Sequence, residues 1–229
     1  MRTEVLRDPG AVAILAAKRI ARVAREAVTA RGLCALAVSG GTTPWAAFRA
    51  LCGEEVPWDR VHLFQVDERV ALSGDPERNY SHLKESLVDR IPIPCPNVHP
   101  MPVEEEDLGA GARRYEADLR RIAGTPPVLD LVQLGLGEDG HTASLFPGDA
   151  ALRVVDADVA LSGPYKGRRR MTLTFPAIDR AREVLWLVTG AGKRKALGML
   201  LAGDRSIPAG RVRGDRAVLL ADEAAGGDG

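Results

Sequence analysis

The sequence predicts an α/β protein in which a mostly parallel sheet is covered by helices on both faces. Three observations carry this. Short apolar runs of strand length alternate with longer segments of helical periodicity. The apolar runs are continuous, as strands buried on both faces require. Several of them end in a glycine-rich or charged loop that opens the next helix.

Asp8-Pro9 reads as an N-cap followed by proline at the first helical position. From there Val12, Leu15, Ile20, Val23, Ala27 and Val28 recur at helical spacing, with Lys18, Arg19, Arg22, Arg25 and Glu26 on the other side, until Gly32. Residues 33–38 are a buried strand, and Pro44 opens a second helix to about Leu51. Residues 61–66 read as strand and residues 80–88 as helix. Pro92, Pro94, Pro96, Pro100 and Pro102 mark an extended connector, taken as an internal loop. Residues 107–122 follow as helix, 129–134 as strand, 171–174 as a short strand, 184–188 as strand, 193–201 as helix and 217–220 as a last strand. Residues 224–229 are small and polar and are expected to form a frayed tail. No repeat or linker divides the chain, so residues 1–229 are taken as one domain.

Composition narrows the function. Of 229 residues 45% are apolar, enough for a packed core. Lys+Arg and Asp+Glu both number 31, which argues against a protein working mainly on the nucleic-acid backbone. The three cysteines, Cys34, Cys52 and Cys95, form no CxxC pair, so neither a disulfide framework nor a zinc site is expected. The first residues have mixed charge, unlike a signal peptide. The longest uncharged stretch, residues 32–48, is interrupted by Ser39-Gly40-Gly41-Thr42-Thr43-Pro44 and cannot cross a membrane as a helix. The expectation is a cytoplasmic globular protein, a monomer or small homo-oligomer, that acts on a small molecule without nucleic-acid or membrane partners.

In parallel sheets ligands bind beyond the carboxyl ends of the strands, so four loops matter. In the first, Ser39, Gly40, Gly41 and Thr42 offer N–H and hydroxyl donors before a helix N-terminus, an anion cradle or an ordinary turn. The Walker spacing is absent. The second is Asp67-Glu68-Arg69: Arg69 suits a phosphate or carboxylate, and Asp67 suits a base, an orienting group or a cap. Asn79, at the next helix start, is a cap or a ligand donor.

The third loop, beginning Gly135-Leu136-Gly137-Glu138-Asp139-Gly140-His141, formally matches GxGxxG. Its third glycine lies between Asp139 and His141, not small packing residues, so a dinucleotide site is disfavoured. Asp139 and His141 instead read as a catalytic pair, the carboxylate fixing the imidazole's tautomer so that its other nitrogen takes a proton from water. His62, His82 and His99 lack such a setting. In the fourth loop Lys193 follows a glycine turn at a helix start, where a cation is unfavourable unless an anion is near. Arg170 ends a basic run beside an apolar segment and is expected to turn inward. No HExxH, paired His/Cys or GxSxG motif is present, so neither metal nor cofactor is expected.

Together and in this order, these loops resemble the 6-phosphogluconolactonase family across nearly the whole chain. The most specific segment is residues 135–148, GLGEDGHTASLFPG; Asp67-Glu68-Arg69, Arg170-Met171-Thr172-Leu173-Thr174-Phe175-Pro176 and Lys193 add to it. The resemblance implies a Rossmann-like three-layer sandwich shared with glucosamine-6-phosphate deaminases and ribose-5-phosphate isomerases. It also implies metal-independent hydrolysis of 6-phospho-D-glucono-1,5-lactone, in the oxidative pentose phosphate pathway. The family often has Ser-Asn where Arg78-Asn79 stands here.

On this reading His141 activates water and Asp139 orients it. Arg69 and the loop backbone, Gly137 included, face the carbonyl, while Ser39, Gly40, Gly41, Thr42, Arg170 and Lys193 hold the phosphate. Arg69 serves the phosphate in the alternative arrangement, and Asp67 and Asn79 complete the substrate site. One rival is a deaminase or isomerase on the same fold, in which the loop after DGH runs toward an Asn-Glu pair; here it continues Thr142-Ala143-Ser144. The other is a non-enzymatic sugar-phosphate sensor, which has no need of Asp139 and His141.

Overall fold

A computed structural model describes residues 1–227. Its strands are β1 (Arg2–Leu6), β2 (Cys34–Val38), β3 (Val61–Gln65), β4 (Asp67–Arg69), β5 (Val98–His99), β6 (Leu131–Gly135), β7 (Val159–Tyr165), β8 (Arg168–Leu173), β9 (Val184–Val188) and β10 (Ala217–Asp222). The α-helices are α1 (Pro9–Arg31), α2 (Thr42–Leu51), α3 (Asn79–Ser86), α4 (Leu108–Ala123), α5 (Phe175–Asp179), α6 (Arg194–Leu201) and α7 (Glu223–Gly226).

Seven strands form a parallel sheet in the order β1-β10-β9-β6-β2-β3-β5. Side chains of each central strand alternate between two cores, as the strand period dictates. Cys34, Leu36 and Val38 of β2 meet α1 and α2 on one face. Ala35 and Ala37 meet the other core, which includes Tyr115 and Leu119 of α4 and Leu197 of α6. The expected parallel sheet with helices on both faces is therefore present.

Helix ends follow their local chemistry. Asp8 accepts the Ala11 N–H at 2.8 Å, and Gly32 closes α1 at φ 80° with its N–H on the Val28 carbonyl. Asp107 caps α4 through the Ala110 N–H at 3.0 Å.

The structure departs from the sequence reading in several places: the proline connector, taken as a loop, contributes the edge strand β5 beside β3, and residues 175–179 form α5. Residues 2–6 form an edge strand beside β10, too exposed on one side to show a buried-strand pattern. Asp67-Glu68-Arg69 is not a loop but the short strand β4, paired antiparallel with β8, which pairs with β7. This second sheet, order β4-β8-β7, shares a core with the main one through Val159, Met171 and Leu173. Strand β7 carries Gly163 and Pro164, breakers that hide it from a propensity argument. The expected tail begins instead as α7, capped by the Asp222 side chain and anchored by buried Ala225; residues 228–229 lie outside the described residues.

Strand order reverses beside β2: the chain passes to β3 on one side and later returns β6 to the other. Such a switch point opens a crevice at the carboxyl ends of the strands.

Candidate active site

That crevice is a cavity of about 240 Å³ lined by the loops after β2, β6 and β9 and by the inner face of the small sheet. Every residue singled out from the sequence except Asp139 lines it: Ser39, Gly40, Gly41, Thr42, Asp67, Arg69, Asn79, Gly137, His141, Arg170 and Lys193. Asp139 stands directly behind His141.

The first loop is held open by its neighbours. The Ser39 N–H donates to Gln133 Oε1 at 3.0 Å, while the Ser39 Oγ is buried with no protein partner. Gly40 packs so tightly on Asn79 that a β-carbon would lie 2.1 Å from its Oδ1. Gly41 begins α2 at φ 127°, a backbone that glycine adopts freely, and no side chain caps the helix. The first-turn N–H groups are thus available to an anion. Thr43 and Thr189 share a 2.6 Å hydrogen bond that ties this loop to the one after β9.

Strand β4 splits its side chains by alternation. Asp67 and Arg69 line the cavity; Glu68 points away from it, wholly buried. Glu68 accepts the N–H groups of Arg69, Asn79 and Tyr80 at 2.7–2.8 Å and the Gln65 amide at 3.0 Å. It therefore caps α3 and fixes Asn79, whose side-chain amide donates to the Asp67 carbonyl at 3.0 Å. Arg78 is buried against Glu68 and Glu104, a structural position outside the cavity. The sequence reading missed Glu68; a carboxylate between two cavity-facing residues of a strand was its signal.

Asp67 receives the Ser144 hydroxyl at 2.6 Å. Burial pushes its carboxyl up, opposed by that hydrogen bond and by Arg170 and Arg69. Arg69 and Arg170 are direct cross-strand partners, and the Nε of each is buried without a protein partner. Burial pushes the Arg170 guanidinium down, against the pull of Asp67. Two guanidiniums side by side, that of Arg69 also donating to the Glu77 carbonyl at 2.5 Å, make a site that favours an incoming anion.

In the loop after β6, the Gly137 N–H donates to the His141 carbonyl at 2.8 Å, and Thr142 Oγ1 donates to the Gly135 carbonyl at 2.9 Å. Asp139 Oδ1 lies 2.5 Å from His141 Nδ1 and accepts the His141 N–H at 3.1 Å. Burial pushes the Asp139 carboxyl up, but these bonds and the Tyr165 phenol bring it below its ordinary value. An imidazole that holds its proton on Nδ1, toward this carboxylate, presents a bare Nε2. Ala143, which lines the cavity, sits at φ 51°, a conformation costly for a residue with a β-carbon. Phe146 and Tyr165 stack at 3.9 Å beside the imidazole; neither was singled out from the sequence.

Gly190, at φ 93°, turns the chain after β9 with its N–H on the Asp222 carboxylate. Lys193 is half-buried in the cavity wall and has no carboxylate partner among the described residues. Among those residues no group of three or more His, Cys, Asp or Glu is placed to hold a metal ion. His62, His82 and His99 lie outside the cavity.

A family model for glucosamine-6-phosphate isomerases and 6-phosphogluconolactonase matches residues 7–220. A 6-phosphogluconolactonase from Synechocystis is 41% identical over 77% of this chain and 75% of its own length. One from Mycobacterium tuberculosis is 37% identical over 94% and 93%. The crystal structure of 6-phosphogluconolactonase from Thermotoga maritima superposes with a TM-score of 0.86 at 28% identity, over 96% of this chain and 98% of that one. A monomeric glucosamine-6-phosphate deaminase superposes equally well, TM-score 0.86, over 98% of each chain but at 20% identity, a likeness of fold alone.

Proposed function

The chain belongs to the glucosamine-6-phosphate isomerase/6-phosphogluconolactonase family, and from that premise we propose that it is a 6-phosphogluconolactonase, a carboxylic ester hydrolase that opens 6-phospho-D-glucono-1,5-lactone to 6-phospho-D-gluconate. The observation that carries this reading is the 2.5 Å contact of Asp139 with His141 Nδ1, made at the wall of a cavity that also holds Arg69, Arg170 and Lys193.

His141 Nε2 takes a proton from water as the water oxygen attacks the lactone carbonyl. Asp139 stabilises the imidazolium that forms. The tetrahedral oxyanion collapses, the ring C–O bond breaks, and the imidazolium returns its proton to the departing ring oxygen. The new carboxylic acid then ionises. A positioned base supplies about 10²–10⁴-fold and an oxyanion donor about 10²–10³-fold, enough for an activated ester without a covalent nucleophile, metal or cofactor.

Substrate charge matches the wall. The phosphate dianion takes Lys193 and the donors of Ser39, Gly40, Gly41 and Thr42 at the start of α2. Arg69 and Arg170 supply the remaining positive field, and Arg170 lies on the imidazole's side, its guanidinium 5.4 Å from the Phe146 ring that also packs on His141. Asp67, Asn79 and Gly137 bound the space for the sugar hydroxyls. Among the described residues no helix is long and apolar enough to cross a membrane. With unpaired cysteines, the same reading places a monomer or small homo-oligomer in a reducing cytoplasm.

The test generates the lactone in place with glucose-6-phosphate dehydrogenase and follows its loss above the spontaneous rate. The wild-type chain accelerates it, and His141→Ala loses at least about 100-fold in kcat with the fold retained. No acceleration, or ammonia release from glucosamine 6-phosphate in its place, overturns the reading.

A further inference from the structure

Asp139 has two oxygens, and the base uses only one. Oδ1 serves the ring and backbone of His141; Oδ2 accepts the hydroxyl of Tyr165 at 3.2 Å. Tyr165 comes from the other sheet, as the last residue of β7 where the β7–β8 hairpin turns. The turn is made by Lys166 at φ 51° and Gly167 at φ 80°, and the β7–β8 register shifts between Ser162 and Tyr165. This irregular tip brings the phenol over a loop 26 residues away in sequence.

The ring is fixed as firmly as the hydroxyl. It stacks on Phe146 at 3.9 Å and an interplanar angle of 6°, and its centroid lies 5.4 Å from that of His141. The Arg170 guanidinium lies 5.4 Å from the Phe146 ring and 5.6 Å from the Tyr165 ring. Phenol and carboxylate thus restrain the imidazole from two sides, one through stacked rings and one through a hydrogen-bonded chain.

We infer that Tyr165 is a positioning residue for the hydrolysis: its hydroxyl, bonded to the far oxygen of Asp139, sets the plane of the carboxylate that in turn sets the imidazole of His141. The inference rests on the lactonase reading and deepens it. A carboxylate held on both oxygens keeps one orientation, whereas one held only by the ring it orients can turn with that ring. The phenol also withdraws part of the carboxylate's charge from the imidazole, so its removal stabilises the imidazolium.

Tyr165→Phe keeps the stack on Phe146 and deletes only the hydroxyl. Its kcat falls about fivefold, as loss of one such hydrogen bond predicts, with KM unchanged. The acid limb of its kcat–pH profile moves to higher pH. The downfield proton resonance of the His141 ring N–H shifts as well, a readout independent of turnover. In an Asp139→Asn background the same change adds no further loss, because the hydroxyl acts through that carboxylate. A Tyr165→Phe enzyme with wild-type kcat, pH profile and ring resonance overturns the inference, as does a loss that multiplies fully with that of Asp139→Asn. Either result leaves the lactonase reading standing if wild type still hydrolyses the lactone and His141→Ala does not. Failure of wild type itself removes the reading.

Discussion

A β-carbon on Gly137 would sit 2.1 Å from His141 Nδ1 and 2.6 Å from Asp139 Oδ1. Gly137 is therefore bare because the imidazole and its carboxylate occupy the space a side chain needs. Its φ lies outside the left-handed region, so the backbone accepts alanine and the nearest conflict falls on His141 and Asp139. Gly137→Ala should lower kcat about as much as His141→Ala, by at least about 100-fold, with a melting temperature close to wild type. A normal kcat would mean that the imidazole does not work from this position.

Glu68 makes a different demand. It is wholly buried, accepts three backbone N–H groups and the Gln65 amide, and lies 3.3 Å from the buried Arg78 guanidinium. Glu68→Gln preserves shape but removes the charge that balances Arg78 and turns one acceptor into a donor facing N–H groups. The expected loss is about 2–4 kcal/mol of unfolding free energy, read from urea denaturation. Because Asn79 is held through Glu68, KM for the lactone should rise in the same variant. Unchanged denaturation would show that Glu104 satisfies Arg78 by itself.

These two residues mark how far the sequence was legible. Parallel strands announce themselves, since burial on both faces demands continuous apolar runs such as Leu36-Ala37-Val38. The Asp139–His141 pair was legible for a related reason: both residues lie in one short loop, so chain connectivity already places them together. Of the small sheet only the β8 segment was legible, as the short strand at residues 171–174; β4 has three residues and β7 contains Gly163 and Pro164, which hid them. With them went the roles of Glu68 and Tyr165, whose partners come from elsewhere in the chain. A residue's type states what it can do; which oxygen it meets across 26 positions is a matter of tertiary register.

Lys193 should separate binding from chemistry. It is half-buried at the cavity wall without a carboxylate partner among the described residues, which suits a cation waiting for an anion. Lys193→Ala should raise KM for the phosphorylated lactone about tenfold or more, the worth of one charge-assisted contact, and leave kcat within about threefold. Turnover of the unphosphorylated lactone should be unaffected. Equal losses on both substrates would take Lys193 away from the phosphate.

The acid stability of the fold should depend on a histidine remote from the cavity. His99 Nε2 lies 3.0 Å from His62 Nδ1, and the His99 ring stacks on Phe64 at 4.2 Å. Burial lowers the His99 imidazole to about 4, with His62 and Arg121 acting in the same direction and Asp118 against them. Burial and Arg121 lower His62 too. In the unfolded chain a histidine titrates near about 6.5. Between those values the unfolded state binds the extra proton, so stability rises with pH across the window. The contribution is complete above about pH 6.5 and is lost as pH falls toward 4, in total on the order of 3 kcal/mol. Urea unfolding at pH 7.5 and pH 5 should therefore differ by about 2 kcal/mol in wild type, and most of that difference should vanish in His99→Gln. If the variant keeps the full difference, acid sensitivity originates in the carboxylates and not in the buried imidazole pair.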